Sequence, residues 1–329
     1  NRCEILCLDT DGLTNGNQGF QDEAAYLGGT GKPPVAPGET DADIIWVFDM
    51  REELGVFPHN IASSSVLVVG DYVYATTSNG QDWSHLNIPS PMAPCLVVLD
   101  KKTGEYVGEE ASGISKNLMH CNWSSPGFGE VNGQPMVLFG AGDGVCYAFD
   151  PKPVPDGDFS ILKEIWKYDC VPAKYKMRDG EPIKYPAAEG PSEIICSPVF
   201  YKNGINLELY VGSKRGTIFK YDNIENNLTG NFNLVDSNFK NINVGSHSSP
   251  AIFDLNNDSL EDFIIGNKRG GLSLFIGVND SVNTSILNEE IFHQEYLIFP
   301  NPSNDFIIVK NLNSSIAYEI INLSGKRVI

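Results

Sequence analysis

The chain has 329 residues, enough to bury a large core as one big repeat domain or as two ordinary ones. Its formal net charge of -19 and pI near 4.6, with no basic stripe to offset them, exclude nucleic acid and an anionic membrane surface as partners. No apolar run reaches the roughly eighteen residues a membrane helix needs, and seven cysteines without a CxxC pair read as small buried hydrophobes, not metal ligands or redox pairs.

The first residue is Asn1 with no charged and apolar leader behind it, so the chain is read as mature or a fragment. CEILCLDTDG (Cys3 to Gly12) reads as the last strand of a repeat that begins upstream. Residues 13–42, rich in Gly, Pro and Asp without a sustained period, are expected to form a long surface loop. Its GGTGKPP run is no phosphate loop, because Pro33 stands where Ser or Thr must hold magnesium. IIWVFDM (Ile44 to Met50) is a strand whose order (Ile, Trp, any residue, aromatic, Asp) returns in EIWKYDC (Glu164 to Cys170), which makes Trp46 and Trp166 equivalent. Asp49 to Leu54 has room for one helical turn. SVLVVGDYVYATT (Ser65 to Thr77) and CLVVLDKKTGEYV (Cys95 to Val107) are further strand runs, the second broken by a tight turn at Thr103-Gly104.

Three stretches share one ruler: GAGDGVCYAFD (Gly140 to Asp150), GSKRGTIFKYD (Gly212 to Asp222) and GNKRGGLSLFI (Gly266 to Ile276). Each is Gly, three residues, Gly, then an alternating strand, and each follows a Ser-Pro step at Ser125-Pro126, Ser197-Pro198 or Ser249-Pro250. Two period-2 runs around a glycine turn make a hairpin, and hairpins recurring at an interval make modules. The Lys-Arg pairs in two of these turns read as solvated charge. Near residue 203 the composition shifts from Pro, Gly and Cys toward Asn, a candidate boundary.

The chemical signals are few. AIFDLNNDSLEDFII carries Asp254, Asn256, Asp258 and Asp262 as D-x-N-x-D-x-x-x-D between two apolar strands, the oxygen-only donor set that calcium prefers. The competing reading is an Asx-rich turn that needs no ion. It is not an EF-hand, because Ile265 stands at the twelfth position. His59, His85 and His120 have room to meet on one face, yet they match no metal signature in their spacing and read as loop or edge residues. Trp123 reads as a packing residue, and no nucleophile elbow or haem-attachment motif occurs.

The Trp strands, the LD-x-x-TG turn and the Gly-Asp-Gly hairpin ending in Ala148-Phe149-Asp150 resemble the repeats of the quinoprotein-like (PQQ-like) β-propeller family, over about residues 1–202. The Asp254 segment resembles FG-GAP (VCBS-type) propeller repeats, over about residues 203–277. That resemblance implies side-chain calcium ligands at Asp254, Asn256, Asp258 and Asp262 and a carbonyl ligand at Leu260, with Ser259 in place of the family's Gly. After a connector over 278–295, YLIFPNPSNDFIIV and YEIINLSGKRV resemble the start of a type IX secretion C-terminal sorting domain, over 296–329.

Together these resemblances imply an all-β protein: a partial β-propeller of four to five four-stranded blades with a small β-sandwich-like tail. They imply an exported binding or scaffold protein without a catalytic set, secreted or on the cell surface, with the periplasm as transit or alternative. Its partners would be an extracellular protein or glycan, and secretion machinery through the tail. A PQQ-dependent dehydrogenase oxidising alcohols or sugars is the alternative, although the adjacent cysteine pair of that class is missing. A periplasmic assembly scaffold is another.

Overall fold

A computed structural model of the protein describes residues 3–38, 40–60, 64–170, 177–182, 198–203, 206–225, 227–278, 296–299 and 308–310. It is nearly all β. A first sheet pairs β1 (Glu4–Asp9) with β2 (Asp43–Asp49), which is followed by a short helix, α2 (Met50–Leu54). A second sheet runs as an antiparallel meander through β3 (Leu67–Val69), β4 (Tyr72–Thr76), β5 (Leu96–Asp100) and β6 (Tyr106–Glu110). The third contains β7 (Gly127–Val131), β8 (Gln134–Gly140) and β9 (Val145–Phe149). The chain then leaves it through the hairpin of β10 (Val154–Asp156) and β11 (Phe159–Leu162), which extends the second sheet by a parallel β11–β6 pairing. It returns as β12 (Glu164–Asp169) to complete the third meander. After a two-residue ladder of β13 (Met177–Arg178) and β14 (Glu181–Pro182), the fourth sheet is β15 (Val199–Asn203), β16 (Asn206–Gly212), β17 (Ile218–Asp222) and β18 (Asn233–Asp236). The fifth is β19 (Ser249–Phe253), β20 (Asp262–Gly266), β21 (Leu272–Phe275), β22 (Tyr296–Phe299) and β23 (Ile308–Lys310).

The glycine ruler marks the same joint three times, the hairpin between second and third strands of the third, fourth and fifth sheets. The second Gly of each turn, Gly144, Gly216 and Gly270, has φ of 84°, 89° and 86°, the left-handed region that L side chains avoid. Its N–H donates to the carbonyl three residues back, on Ala141, Ser213 and Asn267. The LD-x-x-TG turn obeys the same physics. Gly104 has φ 73°, and a β-carbon there would stand 2.4 Å from the ring of Trp46.

Both faces of the inner strands are buried, which explains their near-continuous apolar sequences. In β5, Val97 and Leu99 pack on Trp46 and Phe48 of the first sheet, while Leu96 and Val98 pack on Val137, Phe139 and Phe149 of the third. In β8, Met136 and Leu138 turn the other way, onto Leu209, Val211, Phe219 and Tyr221 of the fourth. Tyr210 and Ile218 then face Phe263 and Ile265 of the fifth. Each sheet is thus stacked on the next in chain order, and Trp166 sits in the third interface edge-on to Phe232 at 4.8 Å between ring centroids.

Several expectations are refined. Residues 13–42 are not all loop: they include a 3-10 turn, Gly12–Asn15, and a short helix, α1 (Glu23–Gly28). That segment is tied to the first sheet where the Phe20 N–H donates to the carbonyls of Ile44 and Ile45. The helical turn expected at Asp49 to Leu54 is present, with the Asp49 carboxylate accepting the N–H groups of Arg51 and Glu52. The composition seam near 203 falls between β15 and β16, paired strands of one sheet. Within 296–329, β22 and β23 continue the fifth sheet by antiparallel pairing with β21; the connector over 279–295, the PNP turn and residues 311–329 lie outside the described residues, as does Cys196. Five of the six described cysteines are buried, Cys7 being half-buried, and no two of them are joined by a disulfide. No helix among the described residues is long and apolar enough to cross a membrane.

Candidate functional site

Three loops that leave the strands at one place are laced together by backbone contacts. Pro58 bridges Asn79, and Gly80 bridges Cys121. The His59 N–H donates to the Ser78 carbonyl, the Gly80 N–H to Phe57, and the Gln81 N–H to His120. The close approach depends on Gly80: a β-carbon there would lie 2.7 Å from the His59 β-carbon and 2.9 Å from the His120 carbonyl oxygen. Beneath run buried amides. Asn79 donates to the Ser90 carbonyl and the Ser115 hydroxyl, and Asn122 donates to the Asn79 carbonyl while accepting from the Gly142 N–H. The Cys121 thiol closes the floor against the Ser78 carbonyl at 3.1 Å.

On this lacing three imidazoles meet. His120 Nε2 lies 2.8 Å from His59 Nε2 and 3.1 Å from His85 Nε2, and one ring nitrogen from each residue lies within 4.8 Å of the others. The ring planes meet at 62°, 62° and 61°, with centroids 4.4 to 4.9 Å apart, an almost threefold arrangement. His59 is buried and its Nδ1 sits 2.6 Å from the Gln81 carbonyl. A carbonyl only accepts, so Nδ1 carries the proton and Nε2 presents its lone pair. His85 is held in a left-handed conformation, φ 58°, by a turn in which the Asp82 carboxylate accepts from Ser84 and Asn87. Those bonds hold Asp82 down at about 2. Burial above all, then the neighbouring His59, Lys214, His85 and His247, pushes His120 down to about 3. Burial lowers His59 as well, against the opposing bond to Gln81. Trp123 is edge-on to His120 at 4.8 Å, and the exposed Trp83 lies 5.6 Å from His59.

Two sequence expectations change here. His59, His85 and His120, read as loop or edge residues with room to meet on one face but without a metal signature, do lie in loops, and the structure brings their ring nitrogens together. Spacings of 35 and 61 residues to His120 carry no metal signature, because the three loops belong to different strand connections. Trp123, read as a packing residue, is half-buried beside the histidines and belongs to none of the inter-sheet clusters.

The Asp254 loop lies between β19 and β20. Asp254 accepts the N–H groups of Asp258 and Ser259, Asp258 accepts that of Leu260, and Asn256 both accepts from the Asp258 N–H and donates to the Asp258 carboxylate. Buried Asp262 accepts from the Leu255 and Gly277 N–H groups. Ser259 takes φ 68° where the resembled repeats carry Gly. Among the described residues, one group of three or more His, Cys, Asp or Glu has converging ligand atoms, and it is the histidine trio. Lys268 and Arg269 are exposed as solvated turn charge should be, whereas Lys214 is half-buried and acts on His120.

Fold and site together define a class: an all-β protein of tandem antiparallel sheets whose strand connections gather three histidines. No protein-family model matches the chain, and no curated protein matches it. Among solved structures it is similar to the C-terminal domain of PilY1 from Pseudomonas aeruginosa, at 12% identity and TM-score 0.34, over 66% of this chain and 48% of that one. The chain therefore spans about half the length of that protein chain.

Proposed function

We propose that this chain is an exported binding or scaffold module of β-propeller type, built from quinoprotein-like repeats before about residue 203 and FG-GAP-type repeats after it. Its ligand is an extracellular protein or glycan, and a secretion sorting segment over 296–329 delivers it to the surface or medium. The observation that supports this reading is the stacking itself: antiparallel meanders, two of them four-stranded, follow one another in chain order, and the inner ones bury both faces against their neighbours. Propeller blades bury themselves in that way, and their strand connections form a loop-built face suited to recognition.

Quinone chemistry does not fit these residues. No two of the six described cysteines adjoin in sequence or are joined by a disulfide, and Trp123 meets His120 edge-on instead of offering a floor. The purified chain, incubated with PQQ and calcium, is expected to reduce no dye with alcohols or sugars; sustained turnover would overturn the non-enzymatic reading. Co-purification with membrane-protein partners would favour a periplasmic assembly scaffold instead.

Calcium suits the donor chemistry, since Asp254, Asn256, Asp258, Asp262 and the Leu260 carbonyl offer oxygen alone, and an ion there would have to gather carboxylates that now accept N–H groups of the loop. Each carboxylate oxygen that accepts one N–H keeps a second lone pair for an ion. Excess calcium is expected to raise the melting temperature over that in EDTA, and Asp258→Ala to abolish the difference. Identical melts in both conditions would remove calcium from the account.

A further inference from the structure

We propose that His59, His85 and His120 form a mononuclear centre for a divalent first-row transition metal ion of the zinc or copper class. The inference stands apart from the repeat assignment and the calcium loop, because it needs only the geometry of three side chains.

The first argument is a count of protons and lone pairs. An imidazole nitrogen carries one proton or one in-plane lone pair, never both, and either points along a single line. His120 Nε2 has two nitrogen neighbours at hydrogen-bond distance, 2.8 and 3.1 Å, and so can satisfy one of them at most in any protonation state. The His59 nitrogen facing it is already committed as a lone pair by the Nδ1 bond to Gln81. Three such nitrogens drawn together conflict when nothing sits among them. A cation bound by all three lone pairs removes the conflict.

The second argument is dimensional. Nitrogens bound about 2.0–2.1 Å from a tetrahedral ion lie about 3.3 Å apart. The two contacts of His120 fall a few tenths of an ångström short of that, and the ring nitrogens of all three residues lie within 4.8 Å of one another, so seating an ion requires the rings to open slightly about His120 and the third pair to close to the same spacing. The near-threefold set of ring planes, 61° to 62° apart, is how three imidazoles cap one face of an ion. A third argument is support. A metal-bound histidine normally gives its other N–H to a carbonyl or carboxylate, as His59 does to Gln81, and Gln81 also holds the His120 loop through its own N–H.

The donor set selects the ion. Neutral imidazole suits zinc, copper and their neighbours in the first row, whereas calcium and magnesium require oxygen. Three protein ligands leave the fourth position of a tetrahedral ion to water or an exogenous ligand, and three neutral ligands leave the ion's charge uncompensated, so that position suits an anionic group. Trp83 stands against His59 and Trp123 against His120, so aromatic rings flank the trio.

The full chain, stripped with a chelator and dialysed, is titrated with zinc and separately with copper(II) by calorimetry, and with cobalt(II) by visible absorption. The expected result is one equivalent of metal and the intense bands of low-coordinate cobalt. His120→Ala should abolish uptake and His85→Ala weaken it at least tenfold, while Asp258→Ala leaves it unchanged. His85 lies in a turn outside the inter-sheet clusters, so its variant should fold even if the buried positions tolerate no change. Uptake below a tenth of an equivalent, uptake of calcium alone, or affinity unaltered by His85→Ala would overturn the proposal.

Discussion

Gly80 is the residue on which the histidine site depends, since it lets two loops approach more closely than any side chain permits. Gly80→Ala is expected to cost about 1–3 kcal/mol, as an overpacked site does, and to weaken metal uptake with it. Urea denaturation and metal titration on the same variant check both effects; unchanged stability would show that the loops have slack. A second residue-scale prediction concerns two buried carboxyls. Burial, with smaller contributions from other carboxylates, raises Glu110 to about 7, and burial raises Asp143 to about 6 against its bonds from Tyr147 and Val145. Between about pH 4, the ordinary carboxylate range, and about pH 7, the folded chain holds protons that the unfolded chain releases. These groups therefore make stability fall as pH rises through that window. Asp143→Asn should flatten the fall, measured as melting temperature at pH 5 against pH 7.5; a variant as pH-sensitive as the parent would contradict it. At this scale the sequence was legible where the polar groups are contiguous, as in the Asp254 loop, whose Asx-rich turn lies between β19 and β20. Where they are not contiguous it gave room for a meeting but no signature: His59, His85 and His120 come from separate strand connections, and backbone bridges at Asn79 and Gly80 bring them together.

At the scale of elements, one glycine ruler hides different constraints. Gly216 and Gly270 share a positive φ, so Ala costs about 1 kcal/mol at either from the backbone alone. Around Gly270 there is open space, but a β-carbon on Gly216 would stand 1.8 Å from the Gly245 carbonyl oxygen. Gly270→Ala is therefore expected to lose only that 1 kcal/mol or so, and Gly216→Ala several-fold more, by chemical denaturation; equal losses would contradict the assigned packing. The hairpins were readable because turn and strand periodicity are local. The excursion of β10 and β11 into the preceding sheet was not, since parallel pairing with β6 rests on packing between sheets. Equivalence of Trp46 and Trp166 holds for burial, yet only Trp46 has a glycine turn against its ring and a carbonyl, that of Lys101, on its indole N–H.

For the whole molecule, successive sheets interlock through residues that alternate between two neighbours, so truncating one interface should unsettle the stack on both sides. Trp166→Ala, in the cluster joining the third and fourth sheets, is expected to cost about 3–5 kcal/mol. The all-β character was plain from alternating runs and turn glycines, whereas the stacking order was not, because one strand's pattern shows that both faces are buried and not against what. The stack also explains the site: loops from adjacent connections converge only because their sheets are pressed face to face. The measurement that tests this most directly is anomalous diffraction at the zinc edge from crystals of the zinc-loaded chain. The account predicts one strong peak about 2 Å from Nε2 of His59, His85 and His120, at the loop end of stacked meanders. A map with no peak there, or with the three histidines apart on unstacked sheets, would contradict it.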